Sequence, residues 1–212
     1  MWEHFSVMRK FFFLVTPILL TACAGSVDYR RPEVSSGSDA MVVNRPKAAL
    51  MRDLPQLMGK RFFVGRGAAQ GDSFLATYSG NPEPYINCGR IASKVSGPQG
   101  ERTFEFAGAR AQQNYEVMFQ GAPTKVDRRM NLDATVTYTL TEISADKTRV
   151  AVVSRYAVTR TSFVYAAGAP TTATDSIAFS TGEGKAFDNR SGQNTECRGT
   201  GKLEAEALSL LR

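Results

Sequence analysis

Three thiols are the most reactive side chains in this sequence: Cys23, Cys88 and Cys197. A thiolate can attack an acyl carbon, bind a soft metal ion or join a second sulfur. Each role needs particular neighbours. A cysteine nucleophile needs an activating base, most often imidazole, and the sequence has a single histidine, His4. A redox pair is usually written Cys-x-x-Cys, and that spacing does not occur. The three cysteines therefore have to be read from the segments around them.

Cys23 ends an apolar run. Arg9 and Lys10 precede Phe11 to Leu20, and small residues separate that run from the cysteine. This is the order of a secretory signal: charged region, apolar region, small-residue cleavage zone. A helix over residues 11–22 would cover about 18 Å, well short of the roughly 30 Å hydrocarbon core of a bilayer. The run is too short to span. Leu20-Thr21-Ala22-Cys23 resembles the lipobox of bacterial lipoproteins. That resemblance implies cleavage before Cys23, a diacylglyceryl group on its thiol and a further acyl chain on the freed amine. One acyl chain anchors only marginally, whereas two or three hold firmly. Ala24 stands where lipoproteins retained at the inner membrane often carry Asp, which points to the outer membrane. The alternative is an ordinary cleaved signal followed by an incidental cysteine. Met8 offers a second start, which would make residues 1–7 extraneous.

Removing the first 22 of 212 residues leaves 190 and lowers the formal charge from +6 to +5. It also removes Trp2 and His4, so the mature chain has neither tryptophan nor histidine. Ser-His-Asp and Cys-His catalysis are thereby excluded, and the commonest zinc ligand is missing. No catalytic, metal-binding or cofactor-binding set can be assembled from what remains, and no enzyme is expected. The basic charge is not gathered into a run of Lys and Arg interleaved with aromatics, as a nucleic-acid groove requires. Export delivers Cys88 and Cys197 to an oxidising compartment. Two cysteines in one exported domain allow one bridge, and a structural disulfide between them is expected.

The elements that must position these groups follow from periodicity. Residues 24–45 show neither helical nor strand period, and Ser, Gly and Pro punctuate them. With Cys23 they read as a flexible tether, 23–45. Leu50, Leu54, Leu57 and Met58 then share one helical face, from Pro46 to a stop at Gly59. Pro55 interrupts this pattern, so the helix either kinks there or restarts at Asp53, where Asp53-x-x-Gln56 matches a capping box. Residues 61–66 and 73–79 read as a strand pair. The glycines between them are followed by a strand, not by the helix that a phosphate-binding loop needs. RTFEF and NYEVMF read as short strands.

The clearest signal is a hairpin. Met130, Leu132, Ala134, Val136, Tyr138 and Leu140 alternate with polar residues, SADK (144–147) turns the chain, and Val150, Val152, Tyr156 and Val158 alternate in return. SIAFS (176–180) reads as a further strand, and 181–197 as a long polar loop ending at Cys197. Leu203, Ala207, Leu210 and Leu211 share the face of a last helix, capped by Thr200. Asp127, Arg128 and Arg129 read as a charge cluster at a strand end. Glu204 and Glu206 read as carboxylates favouring the helix N-terminus. Tyr78, Tyr85 and Tyr115 either fill the core or line a groove.

The order helix, antiparallel strands, helix predicts an α+β fold, a sheet packed by an N-terminal and a C-terminal helix. With LPQLMGKRFFVGRGAAQGDSFLATYSG and the lipobox, it resembles the BamC lipoproteins of the outer-membrane β-barrel assembly machinery. The resemblance covers residues 46–212 and implies a single helix-grip-like periplasmic domain. BamC proteins carry two such domains and a longer tether, and the Cys88/Cys197 pair lies outside their pattern. Three roles stay open. The first is a lipid-anchored accessory module binding an envelope protein, facing the periplasm from the outer membrane. The second is a carrier holding a lipid or other apolar ligand between sheet and C-terminal helix. The third is an enzyme, for which no residues present themselves. The anchor is tested directly: Cys23→Ser is expected to abolish acylation and release the domain from membranes. Full retention of the mutant, read by fractionation and mass spectrometry, would contradict it.

Overall fold

The computed structural model describes residues 24–34, 39–59, 69–166, 169–188 and 194–212. Residues 1–23, including the expected signal segment and Cys23, and the expected strand 61–66 lie outside them. The chain begins with β1 (Ala24–Arg30), β2 (Ala40–Val43), α1 (Lys47–Met58), β3 (Ala69–Gln70) and β4 (Ser73–Gly80). There follow β5 (Ile86–Asn87), β6 (Arg90–Gly97), β7 (Gly100–Ala107), β8 (Gln112–Phe119), β9 (Ala122–Ser144) and β10 (Lys147–Tyr165). It closes with β11 (Thr171–Ser180), β12 (Gly184–Ala186), β13 (Glu196–Gly199) and α2 (Lys202–Ser209).

β9 and β10 form a long antiparallel ribbon. Their register runs from Ser144 opposite Lys147 to Lys125 opposite Tyr165, with one irregularity beside the turn. Each edge of the ribbon carries two further strands. Along β9, β4 pairs from Thr139 to Leu132 and β8 from Arg129 to Ala122. Along β10, β2 pairs from Thr148 to Ala151 and β11 from Arg155 to Val164. With β3 these make a seven-stranded sheet. A second sheet has the order β1-β6-β7, and a third the order β12-β13-β5.

The alternation read from the sequence sets which face is buried. Leu132, Val136, Tyr138, Leu140, Val150, Val152, Tyr156 and Val158 all lie in the core. Leu50, Leu54 and Met58 of α1 join this core, as do Leu203, Ala207, Leu208 and Leu211 around α2. α1 runs without interruption through Pro55, and Asp53 pairs with Arg45 and Arg52 in place of capping a restarted helix. A smaller core of Ile91, Phe106, Tyr115 and Val126 fills the other end, with Tyr29, Phe104, Val117 and Val164 packed on it.

The expected α+β helix-grip architecture is not what forms. Thirteen strands in three antiparallel sheets dominate the described residues, with only two helices. The reason is one of reach. A helix of 12 residues spans about 18 Å, whereas a strand of 23 residues spans about 75 Å. Two short helices cannot cover the apolar face of so long a ribbon. The β1-β6-β7 sheet covers what the helices leave.

Two stretches expected within the 23–45 tether are strands. β1 pairs with β6 over its full length, from Ala24 opposite Ser96 to Arg30 opposite Arg90. β2 pairs with β10. The tyrosine of β1 is tied further: the Tyr29 hydroxyl donates to the Glu196 carbonyl (3.0 Å) and accepts from the Glu196 N–H (2.9 Å). The expected polar loop 181–197 likewise contains β12 and the start of β13; residues 189–193 lie outside the described set.

Candidate functional site

Cys88 follows β5 and Cys197 lies within β13. These strands are neighbours in the third sheet, with Asn87 opposite Arg198, so the register itself brings the sulfurs together. They are at disulfide distance, 2.03 Å, across 109 residues of sequence. Both cysteines are wholly buried, so a reductant reaches them only when the domain opens. The fit around them is close. A side chain at Gly108 would meet the Cys88 carbonyl oxygen at 2.2 Å, which restricts that position to glycine.

The Gly108 carbonyl accepts from Arg128, which also contacts Met130 Sδ. The charge cluster expected at a strand end is therefore corrected. Arg128 sits within β9, 1% exposed, while Asp127 and Arg129 pair with each other beside it (3.0 Å). Burial pushes the Arg128 guanidinium down to about 10, partly opposed by Tyr115 and reinforced by Arg160. It remains charged at neutral pH. Its Nε and Nη1 have no hydrogen-bond partner among the described residues. Arg160 is also buried. It pairs with Asp175 of β11 (2.9 Å) and lies over the Phe187 ring at 4.3 Å. These two arginines occupy the region between the larger and the smaller core.

The carboxylates of α2 also play a part different from the one expected. Glu204 is buried and accepts from the Tyr156 hydroxyl and from the Thr181 hydroxyl, each at 2.6 Å. Burial, and then the Glu204 carboxylate, raise the Tyr156 phenol well above its ordinary value. Glu206 accepts from the Tyr85 hydroxyl at 2.9 Å. Both glutamates thus tie α2 to strands or to the segments beside them. The helix cap is Gly201, in the left-handed region at φ 76°; Thr200 instead donates to Pro84 and accepts from the Lys202 N–H. Tyr78 and Tyr85 meet edge to face (4.9 Å), while Tyr115 packs on Phe106 (4.9 Å) in the smaller core. The three tyrosines therefore do not form one groove.

Two features of the described residues could receive a partner. One is a cleft of about 470 Å³ with Phe104, Tyr115, Val126 and Tyr165 among its walls, and Asn114, Glu116, Lys125 and Asp127 supplying polar groups. Between the sheet and the C-terminal helix, the position expected for an apolar ligand, Leu203, Glu204 and Ala207 are 1% exposed or less. The other is the edge of β11, a longer strand than β1 and β7, which also end their sheet. Among the described residues that strand pairs only with β10 in its sheet, and Thr171, Thr172, Ala173 and Thr174 are all exposed. Among the described residues, no group of three or more His, Cys, Asp or Glu is placed to hold a metal ion, and no helix is long and apolar enough to cross a membrane. No family model matches the chain, and neither a curated protein nor a solved structure does.

The cysteine pair and the Glu204 cluster are expected to separate in cost. Replacing both Cys88 and Cys197 with Ser should destabilise the domain by roughly 2 to 5 kcal/mol. Tyr156→Phe, which removes one donor from a buried carboxylate, should cost about 1 to 3 kcal/mol. Urea denaturation followed by circular dichroism measures both. An unchanged midpoint in the double serine variant would show that strand register alone holds the third sheet.

Proposed function

We propose that the chain is a lipid-anchored envelope protein that acts by binding, with β11 as the strand that receives its partner. The observation behind this reading is the ten-residue edge strand. An open edge presents a row of N–H and C=O groups to which an extended segment can add as a new strand. Such edges are commonly blunted by Lys, Pro or a bulge because they invite pairing. β11 carries none of these. Its sequence is TTATDSIAFS, and its register with β10 runs unbroken from Thr171 to Ser180. The strand is also held firmly from within: Ile177 and Phe179 are buried, and Asp175 pairs with Arg160. A rigid edge loses little entropy when a partner aligns on it.

Acylated Cys23 would place this edge at the periplasmic face of the outer membrane. The partner is then another envelope protein, of the kind that the BamC resemblance supplies. A second reading, a carrier for a lipid or other apolar molecule, is favoured by the cleft beside Phe104 and Tyr165, whose volume falls within the range of small-molecule sites. Mass spectrometry of the detergent-extracted protein would find a bound lipid in that case.

A photo-crosslinking residue at Thr172 is expected to capture a discrete envelope protein. The same residue at Thr139, exposed on β9 away from the edge, should not. Thr174→Lys should abolish the Thr172 crosslink without lowering the denaturation midpoint. Equal crosslinking at both positions, or a crosslink indifferent to Thr174→Lys, would sink the assignment of β11.

A further inference from the structure

The first described residue, Ala24, is already paired in a sheet, opposite Ser96. It follows Cys23 directly, and consecutive Cα atoms are about 3.8 Å apart. A lipid on Cys23 would therefore hang from the end of a strand, not from a slack linker. What surrounds that strand end becomes a question about the membrane.

Two tight turns stand beside it. The β6–β7 turn is Pro98-Gln99, closed by Gly97 opposite Gly100. The β8–β9 turn is Gln120-Gly121, with φ of 50° and 78°, closed by Phe119 opposite Ala122. Left-handed φ at both central residues gives a rigid two-residue hairpin. The turns and the strand end touch each other. A Cβ on Gly97 would lie 3.1 Å from Pro123, and one on Gly25 would lie 2.1 Å from Met118 Cγ, so β1 packs here only with glycine at position 25.

The turns of this end carry Pro98, Gln99, Gln120 and Gly121, with one large exposed apolar side chain and two exposed lysines beside them. Phe119 is 46% exposed although it is a large aromatic residue. Lys94, opposite Ser26, and Lys125, three residues from Ala122, are exposed. Both lie within about 10 Å of the tip along their strands. Glu101, opposite Ser96 and nearer the turn than either lysine, is an opposing exposed charge, while Arg102 and Glu116 are paired at 2.9 Å. An exposed aromatic with lysines behind it suits a bilayer interface, where aromatic rings sit at headgroup level and cations meet lipid phosphates.

We propose that this end of the domain is a membrane-contact surface, with acylated Cys23 seating the two turns on the bilayer and Phe119 entering the headgroup layer. The proposal rests on the acylation of Cys23. It goes beyond anchoring, because it fixes an orientation: the ribbon stands away from the membrane and its far turn, 144–147, points into the periplasm.

The test uses the absence of tryptophan from the mature chain. Phe119→Trp gives a single fluorophore at the tip, and Val153→Trp gives one on the exposed face of β10, about 40 Å further along that strand from Tyr165. Each acylated protein is reconstituted into phosphatidylethanolamine–phosphatidylglycerol vesicles with brominated acyl chains. The indole of the Phe119→Trp protein is expected to be quenched at least severalfold more strongly than that of the Val153→Trp protein, with a blue-shifted emission. Gln99→Trp, exposed on the neighbouring turn, serves as the second tip probe should Phe119→Trp fold poorly. Acylated protein on vesicles with tip and control probes quenched equally, or not at all, overturns the docking and leaves the anchor standing. Purified mature protein without acyl mass overturns the anchor and the docking together.

Discussion

The pairing of β9 with β10 is the interaction on which the rest of the structure depends. Every strand of the large sheet except β3 hydrogen-bonds to one edge of this ribbon or belongs to it. Both cores are built on its inner face. Strand side chains alternate, so a slip of β9 by one residue would turn Leu132, Val136 and Tyr138 outward together. The ribbon is also longer than any single cover available to it. Helices close one end and the β1-β6-β7 sheet closes the other, with Arg128 and Arg160 between the two regions.

Three ties draw the separate sheets into one unit. The Cys88–Cys197 bridge fastens the third sheet to the segment leading into β6. Arg128 of the ribbon donates to Gly108, at the end of β7. Tyr29 of β1 exchanges two hydrogen bonds with the backbone of Glu196, the residue before Cys197. Each tie is buried or half-buried, where a hydrogen bond lost leaves a costly unsatisfied group.

What was legible in the sequence followed the strength of the periodic signal. The ribbon, its turn, β4 and the apolar faces of α1 and α2 were all readable, because their buried residues recur at one clear period. β6 was not read: its inward positions are Ile91, Ser93 and Val95, and the wholly buried Ser93 interrupts the apolar pattern. That serine is satisfied by the Glu116 carbonyl, a partner 23 residues away. β1 offered still less, since its residues are exposed except for the half-buried Tyr29, and backbone pairing carries most of its attachment. The fold class is not legible for the same reason, because β1, β2 and β6 carry no periodic signal that would add them to the sheets. The cysteine pairing was legible from the number of cysteines and the expected compartment. The burial of Arg128 and Glu204 was not, because nothing in the local sequence distinguishes them from surface charges.

The functional account turns on β1. If residues 24–30 are a strand and not a leash, the proposed anchor on Cys23 would orient the domain and hold the edge of β11 at a defined place above the membrane. Amide hydrogen exchange across residues 24–30 of the membrane-extracted protein measures this most directly. The account predicts that these amides exchange slowly, with protection comparable to that of their β6 partners, residues 90–96. Exchange at the rate of an unstructured peptide would show that the segment is a free tether and would contradict the account.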